Sequence, residues 1–154
     1  MSYNIFQIKL SESVYDFVNG SEGGHTKTAE KFPEYNAHLE TQHRGSEGFT
    51  TGMFEHYTKV CEVAGFEHRN LEIVFKILNG FYFDEETGTD SIFEEFVSGF
   101  KMKSGVRKDG TSYTVRDMHS LSVGDIVEDT QTGKFHIVDG CGFTEINVKS
   151  LEVA

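Results

Sequence analysis

The sequence has no tryptophan, two cysteines, few basic residues and no long apolar run. Each shortage excludes something. With 14 phenylalanines and 6 tyrosines, a core has to be built mainly from phenylalanine, and a hydrophobic content of 37% rules out disorder throughout. Cys61 and Cys141 lie far apart, so no disulfide framework is in view. No basic and apolar signal segment precedes them, and the expectation is a reduced, cytoplasmic protein. No stretch reaches the roughly 18 apolar residues that a membrane span requires, so no membrane partner is expected. Lys plus Arg total 14 against 25 Asp plus Glu, a formal net charge of -11. That balance argues against broad capture of a phosphate backbone and permits an acidic face for a basic partner.

What is present suits one core, since 154 residues fit a single domain. Tyr3, Ile5, Phe6, Ile8 and Leu10, with polar Asn4, Gln7 and Lys9 between them, predict a half-buried strand. Ser11 or Ser13 can then cap a short helix with Val14, Tyr15 and Val18, ended at Asn19-Gly20. Glycines and polar residues make 20–52 read mostly as loop, with a helix from Pro33 through His43 stopped by Gly45. MFEHYTKVCEV, from Met53 to Val63, predicts a strand. Two helices follow. Asn70 caps the first, over 70–79, with Leu71, Val74, Phe75 and Leu78 on one face. Ser91 and Glu94 form a capping box for the second, over 91–100, with Ile92, Phe93, Phe96, Val97 and Phe100 on its apolar face.

The stretch KMKSGVRKDGTSYTVR places Lys101, Lys103, Arg107, Lys108 and Arg116 around an Asp109-Gly110 turn, a basic hairpin with Tyr113 as its one aromatic. IVED, KFHIVD and TEINV then predict three closing strands. The fold class expected is α+β: an antiparallel sheet with a C-terminal β-meander packed against two or three helices.

HSLSVGDIVEDTQTGKFHIVDGCGFTEI, residues 119–146, carries Ser120-Leu121-Ser122-Val123-Gly124-Asp125-Ile126-Val127 and then Gly142-Phe143. This stretch resembles the YodL-like domains and related small phage and mobile-element proteins. The segments YNIFQIKL, YTKVCEV and NLEIVFKILNG agree with that family in order, while 20–52 and 81–117 look like variable insertions. The resemblance implies a phage or other mobile-element origin and brings no catalytic residues with it. The same motif has a structural explanation, with Ser120 and Ser122 bonding nearby backbone and the glycines allowing unusual angles.

Chemistry-bearing motifs are sparse. His38, Glu40 and His43, or His56, Cys61 and His68, lack metal-ligand spacing, and neither HExxH nor CxxC occurs, so no metal and no cofactor is expected. Cys141, beside Gly140 and Gly142 with His119 and His136 nearby in sequence, is the weak candidate for a nucleophile, with His119 as its base. Asp84, Glu85, Glu86 and Asp90 form an acidic face, and Arg107 and Lys108 tip the basic hairpin. The reading that results is a non-catalytic phage-type accessory protein in the host bacterial cytoplasm, binding a host protein such as a defence or nucleic-acid enzyme through that acidic face. The alternatives are nucleic-acid binding by the 101–116 hairpin and a small cysteine-dependent enzyme.

Overall fold

The computed structural model describes residues 2–20, 23–64, 71–79, 83–84, 89–90 and 96–148. The N-terminal alternation becomes strand β1 (Ser2–Ile8), followed by helix α1 (Glu12–Val18). Ser11 caps α1, its side-chain oxygen accepting from the Val14 amide at 3.4 Å and so satisfying a donor that a first turn leaves unpaired. Helix α2 (His25–Lys31) follows, then α3 (Pro33–Arg44). Helix α3 matches the expectation, with Pro33 opening it where a missing N–H costs nothing and Gly45 ending it at φ +57. Helix α2 has no counterpart in the sequence reading, because HTKTAEK carries no apolar stripe. Neighbours hold it instead, with Phe17 and Phe32 meeting edge to face at 5.8 Å. The segment read mostly as loop thus contributes two helices.

The strand expected from Met53 begins later, as β2 (Tyr57–Ala64), after a 3₁₀ turn over Thr51–His56. The turn sends the adjacent Met53 and Phe54 into one apolar cluster, where strand alternation would send them to opposite faces. Phe54 lies 5.2 Å from Phe6 and 5.5 Å from Phe135, ring centre to ring centre.

Helix α4 (Leu71–Leu78) is the first predicted helix, and it buries Val74, Ile77 and Leu78; its Asn70 cap lies outside the described residues. Two short strands, β3 (Phe83–Asp84) and β4 (Thr89–Asp90), pair with each other within the acidic segment. The second predicted helix is corrected. Its residues 91–95 lie outside the described ones, and Val97–Ser98 forms strand β5, paired with Glu62–Val63. Pairing gives the outer edge of β2 hydrogen-bond partners and buries Val97 opposite Val63, which a helix here would not do. Strands β6 (Met102–Val106), β7 (Ser112–Arg116), β8 (Ile126–Asp129), β9 (Lys134–Val138) and β10 (Phe143–Ile146) complete the chain where the sequence places strands.

The main sheet has six antiparallel strands in the order β10-β9-β8-β1-β2-β5, so the strand expected first sits near its centre. Both faces are covered. Tyr3, Ile5, Cys61, Val63, Val127 and Val138 face α4, while Ile8, Tyr57, Ile126 and Ile137 face Ala37 of α3. That is why β8 and β9 carry adjacent apolar pairs, Ile126-Val127 and Ile137-Val138, where a sheet wet on one face would alternate. A bulge in β2 lets Val60 and Cys61 both lie in the core opposite Ile5. The fold is α+β, with β8, β9 and β10 as the expected meander.

Candidate functional site

The segment between β7 and β8 gathers the titratable groups. Asp125 is buried at its end, and its Oδ2 accepts from the Ser122 amide at 2.9 Å and from Gln7 Nε2 at 3.1 Å. Gln7, 1% exposed, also donates through Nε2 to the His119 carbonyl at 2.8 Å and accepts from the His119 amide at 3.2 Å through Oε1. His119 is half exposed, its Nδ1 donating to the Ser120 carbonyl at 2.7 Å and lying 3.6 Å from Asp125 Oδ2. A carbonyl can only accept, so Nδ1 carries the proton. His38 of α3 lines a polar space of about 20 Å³ with His119 and Asp125, room for one water molecule.

Burial raises Asp125 to about 7, outweighing the His119 charge and the hydrogen bonds from Ser122 and Gln7, which pull it down. The folded protein therefore keeps a proton that the unfolded chain releases from about pH 4 upward, and this contribution to stability is lost as pH rises toward about 7. His38 and His136 are both lowered, first by burial, so their contribution has the opposite sign and is lost as pH falls below about 6.5. Asp125→Asn removes only the first effect. In urea titrations from about pH 5 to about pH 8, the stability difference between the variant and the natural protein is expected to shift steadily in favour of the variant. A difference independent of pH would show that Asp125 is ionised throughout.

Around this cluster the backbone is tightly fitted. Gly124 adopts φ +97, its amide donates to the Val138 carbonyl at 3.0 Å and its carbonyl accepts from the Tyr57 hydroxyl at 2.5 Å. Burial raises the Tyr57 hydroxyl well above its ordinary value, keeping it a donor. Asp139 ties the end of α3 to the β9–β10 turn by accepting from the Ser46 amide at 2.8 Å and from the Thr144 hydroxyl. Of the structural roles the motif offered, the unusual glycine angles are present at Gly124 and at Gly142, which takes φ +84.

The cysteine–histidine pair is not assembled. Cys141 is exposed in the β9–β10 turn, and no hydrogen bond joins it to His119 or His136. Cys61 lies in the core, its thiol pushed up to about 12 by burial. Among the described residues no group of three His, Cys, Asp or Glu side chains is placed to hold a metal ion. His38 and His43 share α3, Glu40 pairs with Arg44 at 3.3 Å, and His56 pairs with Glu55 at 3.4 Å. His68, Glu85 and Glu86, and the side chains of Asp84 and Asp90, lie outside what is described.

The basic hairpin is present as a ribbon. Strands β6 and β7 form their own two-stranded sheet, and every residue in them except Gly105 and Tyr113 is exposed. Asp109 Oδ1 accepts from the Thr111 amide at 3.0 Å and Gly110 takes φ +87, so the Asp-Gly pair makes the turn. The register puts Met102, Ser104, Val106, Ser112, Thr114 and Arg116 on one face, and Lys103, Gly105, Tyr113 and Val115 on the other. Tyr113 lies over Gly105, where a Cβ would stand 2.5 Å from its hydroxyl, and Arg107 covers the Tyr113 ring at 5.1 Å. Lys9 holds the base of the ribbon through Asp117 at 2.7 Å.

Comparison with protein-family models, curated proteins and solved structures finds no match. Among the described residues no helix is long and apolar enough to cross a membrane.

Sequence reasoning missed Gln7, His38, Asp125 and Tyr57 as one cluster. A signal exists for Gln7: it shares strand parity with Tyr3 and Ile5, so it had to point into the same face.

Proposed function

We propose that this chain is a phage-type accessory protein, a non-catalytic module that binds a host protein through the β6–β7 ribbon. The observation that carries the reading is apolar exposure on that ribbon: Val106 is 69% exposed, Met102 53% and Val115 41%. A two-stranded ribbon alone is marginal in water, and exposed Met and Val beside Lys103 and Arg107 match the apolar and Arg-rich composition of protein interfaces. The ribbon with its flanks, 101–117, holds five of the chain's 14 basic residues, so its partner surface is acidic as well as apolar. The family resemblance supplies the phage and host setting.

The ribbon also favours a second reading. A two-stranded ribbon fits the major groove of DNA, and Lys103, Arg107 and Tyr113 share or flank one face. The test is affinity purification of the tagged protein from infected cells, repeated with Val106→Ser and with Arg107→Gln/Lys108→Gln. The proposal expects a host protein whose affinity falls about tenfold in both variants. Recovery of nucleic acid alone, with strong salt dependence, weakened by the charge variant and indifferent to Val106→Ser, would instead establish the groove reading. Partners unaffected by either variant would remove both.

A further inference from the structure

Strand β10 forms one edge of the main sheet, and no described strand pairs with its outer side. Which of its backbone groups face outward follows from the ladder. Val138 of β9 turns both its main-chain groups to the β8 side, its amide donating to the Asp125 carbonyl at 2.8 Å and its carbonyl accepting from the Gly124 amide at 3.0 Å. Alternation then turns the main chain of Ile137 toward β10, and Thr144, its partner there, faces back to β9. Phe143 and Glu145 are left with their amides and carbonyls directed away from the sheet.

This open stretch is bounded at both ends. Before Phe143 the chain turns, with Gly142 at φ +84 and its carbonyl accepting from the Asp139 amide at 2.9 Å. Beyond Ile146 the Asn147 carbonyl accepts from the Thr51 hydroxyl at 3.1 Å. Between these limits the strand carries no proline, no lysine and no bulge, the devices that keep an edge from pairing. Its one charge, Glu145, lies 3.5 Å from Lys134 of the same chain.

Such an edge is complementary to itself. A two-fold axis through Thr144 brings Phe143 of each copy opposite Glu145 of the other, and these are the residues whose main-chain groups face out. Each facing pair then exchanges both its amide–carbonyl bonds, while Thr144 meets its counterpart as a pair without hydrogen bonds. No like charges stand directly opposite. A register centred on Glu145 would set two carboxylates face to face and would call on the Asn147 carbonyl that Thr51 already engages. A longer foreign strand would overrun the Gly142 turn at one end and Thr51 at the other, whereas a second copy brings an edge with the same limits.

The geometry points to a second copy of this chain as the occupant of the β10 edge, two six-stranded sheets joining into one across antiparallel β10 strands. No residue of the β6–β7 ribbon takes part, so this assignment and the host-binding reading stand or fall separately.

Sedimentation equilibrium of the natural protein from about 5 to about 500 μM is expected to show a reversible monomer–dimer equilibrium, since so short an edge supports only weak association. Glu145→Pro removes an outward amide and no bond to β9. It is expected to weaken dimerisation at least about tenfold while melting with the natural protein. Cysteine pairing gives a readout that does not depend on that variant. In a Cys141→Ser background, Thr144→Cys is expected to form an intermolecular disulfide under mild oxidation, because the facing Cα atoms of such a pair stand about 4.5 Å apart. Glu145→Cys is expected to stay unlinked, because the same two-fold axis holds its two copies more than about 7 Å apart. A protein that is monomeric throughout this range would leave the edge to a strand of another protein and overturn the assignment. Cross-linking of Glu145→Cys in preference to Thr144→Cys, or a dimer that a folded Glu145→Pro protein still forms at full strength, would overturn it equally.

Discussion

Replacing Gln7 by leucine is expected to lower the stability of the protein by about 3 kcal/mol, a fall in Tm of about 6–12 °C for a chain of this size. Leucine nearly matches glutamine in volume, so the loss is one of hydrogen bonding rather than of packing. Gln7 alone bonds both the amide and the carbonyl of His119, and it also bonds Asp125. Its removal strands three groups at once, and groups left without partners away from water cost more than the bonds themselves contribute. The Asp125 carboxylate would lose one of the donors that favour its charged form and keep Ser122 and the nearby His119, so the variant is also expected to lose more stability at high pH than at low. Urea denaturation at two pH values measures both effects. A loss below about 1 kcal/mol would mean that water replaces Gln7 at His119, and that the segment carrying the ribbon is held by the Lys9–Asp117 ion pair instead.

Gly124→Ala is expected to cost a comparable amount, about 3 kcal/mol, by a different route. At φ +97 an L side chain is strained wherever it stands. Here the space is also taken, because a Cβ would lie 3.0 Å from the carbonyl carbon and Oγ1 of Thr41 and 3.1 Å from the Gln42 amide. Helix α3 would have to retreat from the turn, stretching the Tyr57 hydroxyl bond to the Gly124 carbonyl. Tyr57→Phe in the same background separates the two contributions: if the alanine has already broken that bond, the second substitution adds little. Full additivity of the two losses would show that the Tyr57 bond survives the alanine, and a Gly124→Ala protein that melts with the natural one would show that the turn accommodates a side chain.

Much of the fold can be read from local pattern. Strand β1, helices α1, α3 and α4, the Asp109-Gly110 ribbon and the closing meander all follow from alternation, caps and turn residues that act over a few positions. Those signals are local because hydrogen-bonding geometry within a helix or across a tight turn involves neighbours only. The α+β class and the basic ribbon were legible for that reason, and so was the role of Gly45 as a helix stop.

Other features depend on partners distant in sequence. Helix α2 exists because α1 and α3 enclose it, and Val97–Ser98 is a strand because the edge of β2 lies beside it, although Phe96, Val97 and Phe100 carry a helical spacing. The turn at Thr51–His56 replaces four residues of expected strand because Phe6, Phe135 and Tyr57 form an aromatic cluster that Phe54 completes. The candidate site is of this second kind throughout. Gln7 meets His119 and Asp125 only because β1 pairs beside β8, and His38 of α3 lines the same small space with them. The sequence by itself determined the elements whose bonds close locally. Tertiary structure decided which edges needed pairing, which polar side chains became buried together and where a cavity remained, because those outcomes depend on distances between segments that local pattern does not encode.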